Sequence, residues 1–338
     1  MATDKKHIEE KLARLGRIRL ANLPTPVYRL DRVSAELGKN IWIKRDDFTG
    51  AEMSGNKVRK LEFTAAKALK EGADVLITAG GIQSNHARAT AAAAARLGLK
   101  SHLVLSVSSE PPAEGNYLLD QMLGAEITLL DENEGVTLSG KMEEIADAYR
   151  QAGHTPYVIP VGASDGVGNF GYLNAFREIL AQEKELGVTF DAVVCAVGSG
   201  GTYSGLWLGN RLFGAGKRIV GITVCDNRDY FTGVCGRIVD ETLGLLGMEA
   251  EEEKAFTFID GYKGRGYALS TPEELRFIAS VAAKEGVILD PVYTGKAFYG
   301  LYHEVKKGTF DPAGNIHFIH TGGQYGLFPK QRQIAEIL

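Results

Sequence analysis

Residues 54–60 read Ser-Gly-Asn-Lys-Val-Arg-Lys, a turn that runs directly into a helical pattern. Lys57 therefore stands at a helix start, where the helix dipole opposes a cation. That setting lowers the pKa of an amine and suits a lysine that forms a Schiff base with a carbonyl compound. Taken alone, the stretch fits an ordinary surface lysine after a turn better. Lys60 follows on the same side of the helix. Arg59 reads as a solvated or structural charge.

Other loops offer complementary chemistry. Residues 78–88, "TAGGIQSNHAR", leave an apolar run and enter a helix. The glycine pair allows close approach of backbone to a ligand. Gln83, Ser84, Asn85 and His86 are densely polar, and free N–H groups at a helix start favour an anion such as a carboxylate. A plainer reading makes Ser84 or Asn85 the N-cap. His86 has no evident carboxylate or cysteine partner, which points to a structural role. Gly198, Ser199, Gly200, Gly201 and Thr202 lie between an apolar run and a helix, an arrangement that cradles phosphate. A loop made only for packing is the alternative. No Gly-Lys-Ser/Thr follows, so it is not a Walker A loop, and Tyr203 replaces the third glycine of a dinucleotide loop. Residues 289–300 place Tyr293, Thr294 and Lys296 at another strand end, and Lys296 is a second Schiff-base candidate by position. Residues 318–328 carry Thr321, Gln324 and Tyr325, and the turn-rich 260–269 carries Tyr262 and Tyr267. Loops of this kind converge on one cleft, and together they fit a phosphorylated cofactor whose aldehyde needs a lysine.

The elements that must position these loops are legible as alternating patterns. Runs at 40–44, 74–78, 101–107, 125–130, 156–160, 191–197, 218–224 and 316–320 are strand-like and mostly continuously apolar, as in parallel strands covered on both faces. Helical stretches separate them, and "STPEE" at 270–274 is a helix start with a cap, a proline and acids. Such alternation predicts an α/β fold with a mostly parallel sheet. Ligands in such sheets bind beyond the carboxyl ends of strands, where each loop above lies. The strand at 40–44 could join the later strands, which would make the intervening lobe an insertion; the Gly-rich 161–172 could be a hinge.

Bulk properties narrow the classes. The chain has 338 residues, enough for two domains or one two-lobed unit, and a net charge of -4. That balance gives no reason to expect nucleic acid or a membrane as partner. Three cysteines without a C-x-x-C pair give no disulfide framework or zinc site, so no metal is expected. Residues 1–10 are charged and lack the apolar core of a signal peptide, and no run is apolar over 18 residues. The expected compartment is the cytoplasm.

In their order, "SGNKVRKLE", "QSNH" and "DPVYTGKA" resemble the pyridoxal-5′-phosphate (PLP) enzymes of the D-cysteine desulfhydrase and 1-aminocyclopropane-1-carboxylate (ACC) deaminase branch. The likeness runs over most of the chain. It implies a two-lobed tryptophan-synthase-β-like α/β fold (PLP fold type II) with parallel-rich sheets flanked by helices. Residues 57–170 are then a small domain inserted into a large one made of 1–56 and 171–338. It implies a homodimer acting on a small amino acid. Lys57 would bond to PLP. Asn85 would meet the pyridine hydroxyl, Gly198 to Thr202 the phosphate, with Lys60 also in reach, and Thr294 and Thr321 would lie at the ring. Ser84 would face the substrate, with Gln83, Asn85, His86, Tyr293 and Gln324 as further substrate contacts. Tyr293 and Tyr267 match the two active-site tyrosines, and Lys296 becomes an ordinary helix-start lysine.

ACC deaminases of this family have Glu where this chain has Thr294 and Leu where it has Thr321. A carboxylate at the pyridine nitrogen would keep it protonated and make the ring a strong electron sink; a hydroxyl supplies no charge. The resemblance with Thr at both positions implies β-elimination from D-cysteine, releasing sulfide, pyruvate and ammonia. L-cysteate sulfo-lyase is the alternative, because Gln324 and Tyr325 could serve a sulfonate. ACC deaminase ranks behind both. From another class, a non-catalytic PLP-binding protein conflicts with intact Lys57, Ser84 and Tyr293.

Overall fold

A computed structural model of the chain describes residues 5–131, 133–250 and 252–338. In chain order the strands are β1 (Val27–Arg29), β2 (Asn40–Arg45), β3 (Val75–Gly81), β4 (Lys100–Val107), β5 (Glu126–Asp131) and β6 (Pro156–Val158). Then follow β7 (Ala192–Val197), β8 (Arg218–Thr223), β9 (Thr257–Ile259) and β10 (Asn315–His320). They form a six-stranded sheet in the order β1-β2-β10-β7-β8-β9 and a four-stranded sheet in the order β5-β4-β3-β6. All pairings are parallel except β1 with β2.

Each expected strand forms, with ends shifted by a few residues. The three-residue β1 and β9 at the edges of the larger sheet were not expected, because so short a run carries no readable period. β2 pairs with β10 in the register Ile41 to Ile316. The strands of the smaller sheet therefore lie, in chain order, between members of the larger one.

Alternate side chains of β7 serve opposite faces, as the strand period requires. Val193, Cys195 and Val197 pack with Phe176, Leu206 and Phe258. Ala192, Val194 and Ala196 pack with Ile278, Phe298 and Leu301. A strand buried on both faces can be apolar throughout, hence the continuous run. In the helix Asn85–Leu97 the alanine run Ala91–Ala94 is wholly buried, and such small side chains let the helix lie close to its neighbours.

The helix Asn56–Lys70 stands at the seam. Val58, Leu61 and Ala68 pack with Leu76 and Ala92, whereas Phe63 packs in the cluster of Phe170 and Phe176. Arg59 pins this helix. Its guanidinium lies 2.7 Å from Asp46 and 3.0 Å from Glu178, and Tyr172 donates to the same Asp46 at 2.5 Å. Arg59 is thus a buried structural charge, and removing one partner of such a pair costs about 3–5 kcal/mol. Among the described residues, no helix is long and apolar enough to cross a membrane.

Candidate active site

The turn before Lys57 is closed by Thr49, whose hydroxyl accepts from the Gly55 N–H at 2.8 Å. Gly55 has φ +105°, and a Cβ there would stand 2.8 Å from the Thr321 carbonyl. The Asn56 N–H donates to that carbonyl at 3.0 Å. The Lys57 turn is therefore laid against the end of β10. Lys57 Nζ reaches to 3.4 Å from Ser199 Oγ, and burial pushes its pKa down to about 8. The direction is the one expected from the sequence, and its dominant cause is loss of water.

Lys60 is fully buried one turn on. Its Nζ donates to the Gly162 carbonyl and to Ser164 Oγ, both at 3.1 Å. Burial, and then the charge of Lys57, hold its pKa well below that of a free lysine. Ser164 Oγ lies 2.8 Å from Ser199 Oγ, so two hydroxyls bridge the two amines. Gly198 to Gly201 lead from β7 into the helix Gly201–Leu212. A Cβ at Gly201 would come within 2.6 Å of Lys60 Nζ, and one at Gly162 within 2.5 Å of Ser199 Oγ. The cup thus depends on bare backbone on both sides. Thr202 Oγ1 accepts from Asn56 Nδ2 at 2.9 Å.

Ser84 is the N-cap of the helix Asn85–Leu97, accepting from the Ala87 N–H at 3.1 Å. The capping reading and the functional one are compatible, because accepting leaves the hydroxyl proton free. His86 Nε2 lies 2.8 Å from Thr78 Oγ1, and burial followed by the Lys57 and Lys60 charges keeps its pKa far below the usual value. His86 is neutral.

Across the cleft, the Tyr267 and Tyr293 hydroxyls lie 2.7 Å apart. Asp290 fixes the Tyr293 turn by accepting from the N–H groups of Val292 and Tyr293 at 2.9 Å and of Thr294 at 2.6 Å. Lys296, buried, donates to the carbonyls of Lys263, Gly266 and Leu269 at 2.7, 2.7 and 3.1 Å. It is a clamp on the loop that carries Tyr267, not a Schiff-base lysine in the cleft.

One cavity of about 210 Å³ gathers Lys57, Ser84, Asn85, His86, Gly198, Ser199, Gly200, Thr202, Tyr267, Tyr293 and Thr321. Asn56, Gly80, Gly81, Leu138, Val161 and Gly162 also line it. Ser164 and the 161–164 wall were missed by sequence reasoning, which saw in that Gly-rich stretch only a hinge. A larger open groove of about 1280 Å³ is lined by Arg17, Phe63, Arg177 and Lys217 among others, and by neither Lys57 nor any of the polar loop tips.

Several expected contacts are absent from the cavity lining. Gln83 turns to the next helix: its Oε1 accepts from the Asn116 N–H at 2.8 Å and its Nε2 donates to the Glu114 carbonyl at 3.0 Å. Gln324 Nε2 donates to Asp47 at 3.1 Å, and Tyr325 stacks on Arg88 with its hydroxyl on the Ala51 carbonyl. Thr294 is buried, donating to Asp290 Oδ1 at 2.6 Å and accepting from the Asp290 N–H at 2.8 Å. Its one proton is therefore not free for a ring nitrogen, whereas Thr321 does line the cavity. Lys60 and Gly201 are likewise not among the lining residues; Lys60 reaches the lining through the Gly162 carbonyl.

A profile described as pyridoxal-phosphate dependent enzyme matches residues 18–322. The chain belongs to that family. It is 44% identical to the bifunctional D-cysteine desulfhydrase/1-aminocyclopropane-1-carboxylate deaminase, mitochondrial, of Arabidopsis thaliana, covering 94% of this chain and 81% of the relative. It is 40% identical to the D-cysteine desulfhydrase of Klebsiella pneumoniae, over 94% of this chain and 97% of that one. A crystal structure described as an ACC deaminase homologue superposes with a TM-score of 0.90 at 40% identity, covering 98% of this chain and 99% of that one. Within the family the chain thus stands in the D-cysteine desulfhydrase/ACC deaminase group, with the two parallel-rich sheets of PLP fold type II. The cavity fits the cofactor on its own chemistry: a lysine amine depressed to about 8 for the aldehyde, and a cup for the phosphate in which added Cβ atoms would strike Ser199 and Lys60.

Proposed function

We propose that the protein is a carbon–sulfur lyase that converts D-cysteine and water to pyruvate, ammonia and hydrogen sulfide. The observation that carries this reading is the absence of acid: among the described residues, no Asp or Glu lines the cavity. Asp290, next to the tyrosine turn, spends its oxygens on backbone N–H groups and on the Thr294 hydroxyl. Without a carboxylate to keep the ring nitrogen protonated, the site suits a substrate with a good β-leaving group better than ring opening of ACC. The sulfonate alternative loses its support, since Gln324 and Tyr325 are engaged elsewhere.

Lys57 would bond to the cofactor, Lys60 and residues 198–202 would hold its phosphate, Asn85 would meet its ring hydroxyl and Thr321 its ring nitrogen. When bound, pyridoxal phosphate supplies the electron-withdrawing ring that spreads the charge left at the substrate α-carbon. Lys57 Nζ holds the α-proton, an assignment its lowered pKa favours. Ser84, with its proton free, faces the substrate carboxylate. The Tyr267–Tyr293 pair supplies a proton to the departing sulfur. We further propose that residues 57–170 form the small lobe, consistent with the sheet memberships, and that the protein is a cytoplasmic homodimer.

Purified enzyme incubated separately with D-cysteine, L-cysteine, L-cysteate and ACC tests the substrate. Pyruvate with sulfide from D-cysteine is expected. Sulfite from L-cysteate, or 2-oxobutyrate from ACC at a matching rate, would replace this reading. A colourless protein that borohydride cannot label at Lys57 would remove it.

A further inference from the structure

The Asn85 carboxamide lines the cavity, yet its direction is set from outside. Asn116, fully buried at the start of the helix Gly115–Met122, has every polar side-chain atom engaged. Its Oδ1 accepts from Arg88 Nε at 2.7 Å. Its Nδ2 donates to the Gln83 carbonyl and to Asn85 Oδ1, both at 2.9 Å. Two of these partners permit no alternative, because a guanidinium can only donate and a backbone carbonyl can only accept. The Asn116 amide therefore has one orientation and offers Asn85 a donor. Asn85 must answer with Oδ1, which leaves its Nδ2 for the cavity.

The arrangement is anchored at both ends. Arg88 donates to the Ser54 carbonyl at 2.9 Å and to the Glu52 carbonyl, and it lies 5.0 Å from the centre of the Tyr325 ring. Those carbonyls belong to the turn that precedes Lys57, so one guanidinium holds both the lysine turn and the amide that sets Asn85. At the other end Gly115 has φ +57°, and a Cβ there would stand 2.5 Å from Gln83 Oε1. Only glycine lets the helix start dock this closely on Gln83.

We propose that Asn116 is a positioning residue that holds the Asn85 carboxamide with its N–H end towards the cavity, so that the bound cofactor meets a donor and not a carbonyl. This rests on the reading above that Asn85 meets the ring hydroxyl of PLP. A donor favours the ionised form of that oxygen. In Asn116→Asp the new carboxylate can only accept, so Asn85 turns its Nδ2 outward and presents Oδ1 to the ring.

The test is a pH titration of the visible absorption band of the holoenzyme, with PLP affinity measured alongside. Asn116→Asp should raise the midpoint of the band's transition by about one pH unit and weaken PLP about tenfold. Asn116→Ala, which frees Asn85 to turn, should shift it the same way by less, and it carries the test alone if Asn116→Asp does not fold. Asn85→Ala should shift the midpoint too, and adding Asn116→Asp to it should add nothing. If Asn85→Ala shifts the midpoint while the Asn116 variants titrate as wild type, even with a lowered melting temperature, Asn116 is only structural and the proposal fails. If Asn85→Ala titrates as wild type, the placement of Asn85 at the ring hydroxyl is wrong, and the proposal falls with it.

Discussion

The hydroxyls of Tyr267 and Tyr293 stand 2.7 Å apart and join a turn-rich loop to the turn built on Asp290, which follows an irregular segment after the helix Pro272–Glu285 and not, as expected, a strand. Burial, and then the neighbouring Tyr267, hold the Tyr293 pKa well above the usual phenol value. The group stays protonated at neutral pH and can donate. Tyr293→Phe should lower kcat for D-cysteine by about 10²–10³-fold, with PLP affinity changed only a few-fold. Because the tyrosines act as a pair, the double Phe variant should lose much less than the product of the single losses. Steady-state sulfide release checks this, and a Tyr293→Phe enzyme with near-normal kcat would place the proton donor elsewhere.

In the proposed role, Lys57 would attack an aldehyde only as the neutral amine. With a pKa pushed down to about 8, its neutral fraction grows about tenfold per pH unit below that value and levels above it. The rate at which the cofactor-free protein acquires its yellow colour on adding PLP should follow that curve in stopped-flow absorbance. A rate that keeps rising to the pH of a free lysine would show that burial does not tune this amine.

Lys296 holds three carbonyls of the loop that carries Tyr267. In Lys296→Met the loop loses all three contacts while residues 198–202 are untouched. We expect kcat/KM to fall by at least about tenfold, as an active-site group loses its placement, with PLP affinity unchanged. Trypsin should also cut faster at Lys263 and Arg265. Unchanged proteolysis would mean that the loop is held by other contacts.

Asp120 is fully buried, neither carboxyl oxygen has a hydrogen-bond partner, and burial raises its pKa to about 8 against the opposing pull of Arg88. The folded chain holds this proton where the unfolded chain has released it. Its contribution to stability is therefore complete below about pH 4, where an unfolded Asp is protonated, and is lost as pH rises to about 8. Melting temperature should fall across that window, and Asp120→Asn should flatten the fall. An unchanged slope in that variant would assign the pH dependence to another group.

The sequence by itself determined the α/β class, the parallel strands and the turns that carry Lys57, Ser84, Gly198 to Thr202 and Tyr293. These are local facts: an apolar run of strand length, a glycine where backbone must come close, a polar tip at a helix start. Even the place of β2 was open to a reading that later strands could complete. Tertiary structure decided where the polar tips aim, because a side chain turns to whichever partner folding brings beside it. The family resemblance put Gln324 and Thr294 at the substrate and the ring, but Asp47 and Asp290 claim their hydrogen bonds. Arg59 read as either a solvated or a structural charge, and Asp46 and Glu178 make it the second by burying it as an ion pair. Ser164 and Asn116 carried no local signal, since each matters only through residues tens of positions away: Lys60 and Ser199 for the first, Asn85 and Arg88 for the second. Hydrogen-bond direction is a property of the pair, and the pairs form only when the chain has folded.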